Sequence, residues 1–320
     1  MNKEILDTYF KLMTMNGGAY VFNTVSKLQL LNPFLKGNSL SSEEIASEKG
    51  LNPNTLTLLY DVLCSLNLLE KNNNKYKFAP VFMMLKDNYQ SLSSQYWEHL
   101  PKFIMEDIPF RRMDQIEESE EIYQNEVRSL GYMMEPSALN LVKEIGSHYK
   151  NIIDIGAGSG IWSNFFLREN EQSKATLVDW PAVLNVAKER AQNTKVDNRV
   201  EYIEGNYHQV EFGAGYDLAI LGNVAHLEND ENLDAIIKKI YHSLNEEGSI
   251  LIVDCFGEHK DGEVARSLYK LGLSLRTVDG RVPEKSWMID NLKNNLFKSH
   301  KFISLDVHPF TMGAILASKS

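Results

Sequence analysis

Between positions 154 and 160 the chain reads Asp154-Ile155-Gly156-Ala157-Gly158-Ser159-Gly160. Glycines at alternate positions let a backbone approach a ligand closely and turn into a helix, whose first N–H groups are free to meet that ligand. A dinucleotide fingerprint spaces its glycines Gly-x-Gly-x-x-Gly; here the third glycine comes one residue early and an acid precedes the first. Asp154 would repel a pyrophosphate. It suits a cationic nucleotide such as S-adenosylmethionine (SAM), which carries an ammonium and a sulfonium. Farther on stand Asp179-Trp180 and Gly205-Asn206-Tyr207. A carboxylate at Asp179 can accept hydrogen bonds from both ribose hydroxyls. Trp180 can pack against the nucleoside, and Gly205-Asn206-Tyr207 can meet the adenine.

For these residues to converge they must sit at the carboxyl ends of parallel strands, where open α/β sheets bind ligands. After Lys150, short apolar runs alternate with helical stretches. Strands are expected over residues 151–155, 175–179, 200–203, 216–221 and 249–254, with helices such as 181–192 and 232–244 between them. Such alternation implies right-handed crossovers and a largely parallel sheet. Two final strands, 301–308 and 313–317, are joined by a short link and should pair antiparallel. The expected fold class is α/β, a seven-stranded Rossmann-like sheet with one reversed strand.

The region before residue 95 has a helical period instead, with apolar positions at Tyr9, Leu12, Tyr20, Val21, Val25 and Leu28. Ser41-Ser42-Glu43-Glu44 has the pattern of a capping box, and Asn52-Pro53 offers a cap followed by Pro at the first helical position. Leu56, Leu59, Leu63 and Leu66 are expected to form one apolar stripe. A hairpin turning at Asn72-Asn73-Asn74 completes the order of a winged helix. Its second helix, residues 54–67, carries Asp61 and neither Lys nor Arg, so it has nothing to meet phosphates or guanine edges. A transcriptional regulator is therefore disfavoured against a protein–protein module. Residues 96–150 are expected to be a helical connector rich in Met and aromatics, with Tyr132, Met133 and Met134 as candidates for contact with a substrate.

The chain has 320 residues, 43% of them hydrophobic, and a formal net charge of −10. That size supports domains at about 1–95, 96–150 and 151–320. The acidic balance argues against nucleic acid and anionic membranes. Cys64 and Cys255 lie in apolar runs and read as buried thiols. The N-terminus lacks a signal-peptide pattern, and no apolar run approaches a membrane span, so a cytoplasmic protein is expected. The eight histidines form no metal-ligand spacing, and no metal is expected.

Taken together, these motifs resemble the class I SAM-dependent methyltransferases. More narrowly they resemble the small-molecule O-methyltransferases of plant and bacterial natural-product pathways, and the likeness covers nearly the whole chain. Asp154 to Gly160 is similar to that family's Asp-x-Gly-Gly-Gly-x-Gly loop with Ala157 in place of the middle glycine. Asp179-Trp180-Pro181 is similar to its Asp-Leu-Pro, and Gly205-Asn206-Tyr207 to its Gly-Asp-hydrophobic segment. Asn223-Val224-Ala225-His226-Leu227-Glu228-Asn229-Asp230 stands where the family has Asn-Val-Leu-His-Asp-Trp-x-Asp. The resemblance implies SAM as cofactor, with Gly222 and Asn223 also near it. It implies His226 as general base, Asp254 as the carboxylate orienting it, and an N-terminal domain that serves homodimerisation. The acceptor is expected to be a small, flat, partly apolar molecule methylated on oxygen. Methylation on nitrogen or carbon, or non-methylating chemistry such as cyclisation, decarboxylation or hydroxylation, stays open. Leu227 and Glu228 depart from the family's Asp-Trp. Glu284, in Gly280-Arg281-Val282-Pro283-Glu284, is displaced by two positions from the family's second orienting Glu and carries no assigned role.

Overall fold

The computed structural model describes residues 3–82, 94–113, 120–256, 263–307 and 310–320. The chain divides into two compact units, Met1–Gln95 and Tyr96–Ser320.

The first unit contains α1 (Lys3–Lys27), β1 (Leu40–Ser41), α2 (Ser42–Lys49), α3 (Pro53–Ser65), β2 (Leu69–Asn72) and β3 (Lys75–Phe78). Both expected caps are present. The Ser41 hydroxyl accepts from the Glu44 N–H at 3.2 Å while Glu44 accepts from the Ser41 N–H at 2.6 Å. The Asn52 side chain accepts from the N–H groups of Asn54 and Thr55. Asn73 and Asn74 both have positive φ, 46° and 60°, as a two-residue hairpin turn matched to strand twist requires. The strands form a sheet in the order β1-β3-β2. The stripe on α3 needs correction: Leu56, Tyr60 and Leu63 are buried, whereas Leu66 is 44% exposed. Tyr60 takes the core position because its ring meets Phe34 and Tyr76 and its hydroxyl reaches the Leu30 carbonyl.

The second unit begins with α4 (Ser94–Glu106) and α5 (Glu120–Ile145). Then come β4 (Asn151–Ile155), α6 (Ile161–Glu169), β5 (Lys174–Asp179), α7 (Pro181–Asn193), β6 (Val200–Glu204) and β7 (Tyr216–Gly222). They are followed by α8 (Asp230–Ser243), β8 (Leu244–Cys255), α9 (Glu263–Ser274), α10 (Lys285–Asn294), β9 (Ser299–Val307) and β10 (Phe310–Ser318). The seven-stranded sheet has the order β6-β5-β4-β7-β8-β10-β9. Its first five strands run parallel, and β10 is antiparallel to both β8 and β9. This is the expected sheet with one reversed strand; His308, placed at the end of an expected strand, lies outside the described residues. Helix α8 starts two residues earlier than the apolar period suggests, because Asn229 caps it by accepting from the Asn232 N–H at 2.8 Å. Buried Ile153, Ile155, Ile220 and Ile252 fill the sheet interior, the near-continuous apolar runs that a sheet covered on both faces demands. No described helix is long and apolar enough to cross a membrane.

Candidate active site

Strand order makes the site. In the sheet, β4 lies between β5 and β7, and the chain leaves β4 toward one side and returns to the other, the switch point where such sheets open a crevice. A cavity of about 820 Å³ occupies it. That lies in the upper part of the ~300–1,000 Å³ range of small-molecule pockets, room for a nucleoside cofactor and a second small molecule.

The loop after β4 is held by N–H groups of Gly156 and Ala157, which both donate to the Val178 carbonyl. Gly156, Gly158 and Gly160 have φ of 63°, 57° and 66°, a region that L side chains seldom occupy. A Cβ on Gly160 would lie 2.9 Å from the Leu177 side chain, so this glycine lets α6 sit close to the sheet. Gly156 and Gly158 border the cavity, and Gly160 does not. Asp154 is fully buried behind the loop, outside the cavity lining. Its Oδ2 accepts from the Ser163 N–H at 3.3 Å and its Oδ1 has no partner. Burial pushes its pKa up to about 7.

Asp179, at the end of β5, lines the cavity and accepts from the N–H groups of Gly158 and Trp180, each at 2.8 Å. Burial raises its pKa to about 6 against those bonds. Trp180 and Asn206 border the same space, Gly205 does not, and Tyr207 does. Tyr207 donates its hydroxyl to Glu228 at 2.5 Å, and His208 Nε2 meets the same carboxylate oxygen at 3.0 Å. Glu228 is only 3% exposed. In the sequence Glu228 stands out only as a departure from the family pattern; in the fold it anchors two cavity-lining rings. The signal was there: a carboxylate in an apolar setting needs partners.

Gly222, Asn223 and His226 line the cavity from the end of β7 and the short turn Ala225–Leu227. Asp254, fully buried at the end of β8, holds His226 twice. Its Oδ2 accepts from the His226 backbone N–H at 3.0 Å, and its Oδ1 lies 2.9 Å from Nδ1. A carboxylate there makes Nδ1 the protonated nitrogen, which leaves the lone pair on Nε2. Tyr269 stands with its ring 6.2 Å from the imidazole, and burial drives its hydroxyl far above the ordinary phenol range. Glu284 is exposed at the start of α10 and is absent from the lining.

The opposite wall comes from α5. Tyr123, Val127, Leu130 and Met134 line the cavity at helical spacing. Of the three residues expected here only Met134 does so; Tyr132 is 39% exposed and Met133 packs on the core. Extending the helical period back to Tyr123 would have selected the right face. Among the described residues no group of three or more His, Cys, Asp or Glu could hold a metal.

A family model for the O-methyltransferase domain matches residues 82–289, more than half of the chain. The chain belongs to this family of SAM-dependent O-methyltransferases. It is 26% identical over 132 residues to acetylserotonin O-methyltransferase of Gallus gallus, covering 41% of this chain and 38% of that protein. It is 21% identical over 214 residues to the L-tyrosine C(3)-methyltransferase of Streptomyces lavendulae, covering 66% of this chain and 58% of that one. The matches thus span well under two thirds of these relatives' lengths. The crystal structure of human N-acetylserotonin methyltransferase in complex with SAM superposes with a TM-score of 0.75 at 20% identity over 98% of both chains. That likeness shows the shared fold of the O-methyltransferase.

Proposed function

We propose that this enzyme moves the methyl group of SAM to a hydroxyl oxygen of a small, flat, partly apolar acceptor, with His226 as general base. The observation that supports this most directly is an imidazole fixed by a buried carboxylate on the wall of the cavity that Asp179 and the glycine loop also line.

The residues present fit SAM. Asp179 offers a strand-end carboxylate with lone pairs left for ribose hydroxyls, and Trp180, Asn206 and Tyr207 frame the nucleoside. Gly156 and Gly158 let the loop approach the amino-acid end, near Gly222 and Asn223. Asp154 carries an unpartnered buried oxygen, and a cationic ligand beyond the loop would favour its ionised form. Gly160 and Gly205 act by shaping the backbone, since neither reaches the cavity. SAM, when bound, supplies a methyl group activated by the sulfonium. His226 Nε2 accepts the acceptor's hydroxyl proton as the oxygen bonds to carbon. Asp254 keeps Nδ1 protonated and stabilises the imidazolium. Leu130, Met134 and Tyr269 hold the acceptor by its apolar faces and keep water out, which favours alignment.

We also propose a homodimer. In the first unit Ile5, Tyr9, Leu12, Met13 and Tyr20 share one stripe of α1 and are each at least 52% exposed. A second copy of the chain would cover that stripe. Sedimentation that finds a monomer at micromolar concentration would remove this reading.

The functional test is incubation with SAM and a panel of phenols and hydroxy acids, read by S-adenosylhomocysteine (SAH) release and by mass spectrometry. A product carrying one added methyl on oxygen is expected. SAH release without such a product would turn the assignment toward methylation of carbon or another chemistry.

A further inference from the structure

We infer that the acceptor end of the cavity is an anion site, in which the guanidinium groups of Arg112 and Arg276 hold a carboxylate of the methyl acceptor. The substrate class is then a flat hydroxy acid. This rests on the methyl-transfer reading and narrows it.

Both arginines line the cavity that His226 lines. Arg276 follows α9. Its Nε–H donates to the Gly272 carbonyl at 3.0 Å, which folds the side chain back by one turn and leaves the outer guanidinium nitrogens for a ligand. Its guanidinium carbon lies 5.7 Å from the centroid of the Tyr96 ring. Arg112 is fixed close by through the backbone. Phe110 N–H donates to the Leu275 carbonyl at 2.9 Å, and Met113 N–H donates to the carbonyl of Arg276 itself at 2.8 Å. Two guanidinium groups thus start from adjoining backbone on one rim.

Their lack of a carboxylate partner among the described residues matters in this chain. Acids outnumber bases, 43 to 33, and three arginines pair with them: Arg128 with Glu189, Arg168 with Glu135 and Arg281 with Asp230. Among the described residues neither Arg112 nor Arg276 has a carboxylate within 4.0 Å. The carboxylate that does line this end, Glu126, is engaged by the Tyr96 hydroxyl at 3.1 Å. The half-buried Arg276 guanidinium has lost part of its hydration without a described carboxylate within 4.0 Å. Its planar fork matches a carboxylate in two parallel hydrogen bonds. The apolar side chains beside it, Leu273 and Met134, suit the body of the same molecule.

The test uses four hydroxyaryl carboxylic acids, among them 4-hydroxycinnamate and 3,4-dihydroxybenzoate, each paired with its neutral primary amide. Binding is measured by calorimetry on the full chain saturated with SAH. At least one acid should bind about tenfold or more tightly than its amide, the scale of hydrogen bonds to a charged group. Arg276→Gln and Arg112→Gln should each cut that preference to under about threefold, with SAH affinity unchanged within about twofold. Should Arg276→Gln lose SAH through misfolding, the exposed Arg112→Gln carries the comparison. A panel in which no acid outbinds its amide overturns the site, pairs in which neither compound binds included. So does a preference that survives the substitutions. If the acid preference holds but no bound acid is methylated, the methyl-transfer reading fails and the anion site stands.

Discussion

The two walls of the cavity are built by different means. The strand-end wall is held by main-chain bonds: Gly156 and Ala157 to the Val178 carbonyl, Gly205 to that of Asp179, and Asn223 to that of Val253. Its side chains have little choice of direction. The helical wall consists of side chains on α5, on α9 and just beyond α9, which reach the cavity only because those helices are rotated to present them. A wall written in backbone suits a ligand that does not change, and one written in side chains can be altered residue by residue. On that view the cofactor meets the first and the acceptor the second.

The largest effect should come where the walls meet. His226→Ala should lower turnover by ~10²–10⁴-fold while SAH binds nearly as before. Asp254→Asn should do less, because a poorly oriented imidazole still accepts a proton. Normal turnover by His226→Ala on its true acceptor would break the division by showing that no base is needed. Next, Asp179→Ala should weaken SAH by about 1–3 kcal/mol in calorimetry without changing acceptor binding. The pH dependence has a defined sign. Burial puts the Asp179 pKa at about 6, and ligand hydroxyls favour the ionised form. SAH affinity should therefore rise with pH through about 6 and level off above it, changing by up to ~10-fold per pH unit on the acid side.

Packing gives a smaller contrast. A Cβ on Gly222 would lie 2.2 Å from Trp162, which is itself buried. Gly222→Ala should cost about 1–3 kcal/mol in denaturant unfolding, whereas the volume-conserving Met134→Leu on the helical wall should cost less than ~1.5 kcal/mol. Equal losses would erase the difference in tolerance. A comparable effect, dependent on pH, concerns Asp154. A carboxyl whose pKa is raised on folding, here to about 7, holds its proton more tightly in the folded protein. Its contribution is fully present below the unfolded value and is lost as pH rises through about 7. Relative to Asp154→Asn, the ligand-free wild type should lose roughly 2–3 kcal/mol between pH 5 and 8 in denaturant unfolding.

Local chemistry made much of the molecule legible. The capping box at Ser41, the cap at Asn52, the paired asparagines of the hairpin and the apolar runs of the sheet act within a few residues, so the sequence alone determined those elements and their order. The same holds for the glycine loop, because a strand end followed by glycine leaves few other conformations, and for Asp179, which closes its strand just before Pro181 opens the next helix. What only the tertiary structure decided depends on rotation and distance. Tyr60 and not Leu66 fills the core of the first unit. Tyr123, Val127 and Leu130 and not Tyr132 face the cavity. Glu228 joins Tyr207 to His208 across twenty residues, and Arg112 stands beside Arg276 through bonds between segments more than 150 positions apart. A helical period states that a face exists, but the direction it points is set by the summed packing of its neighbours, which no short stretch of sequence contains.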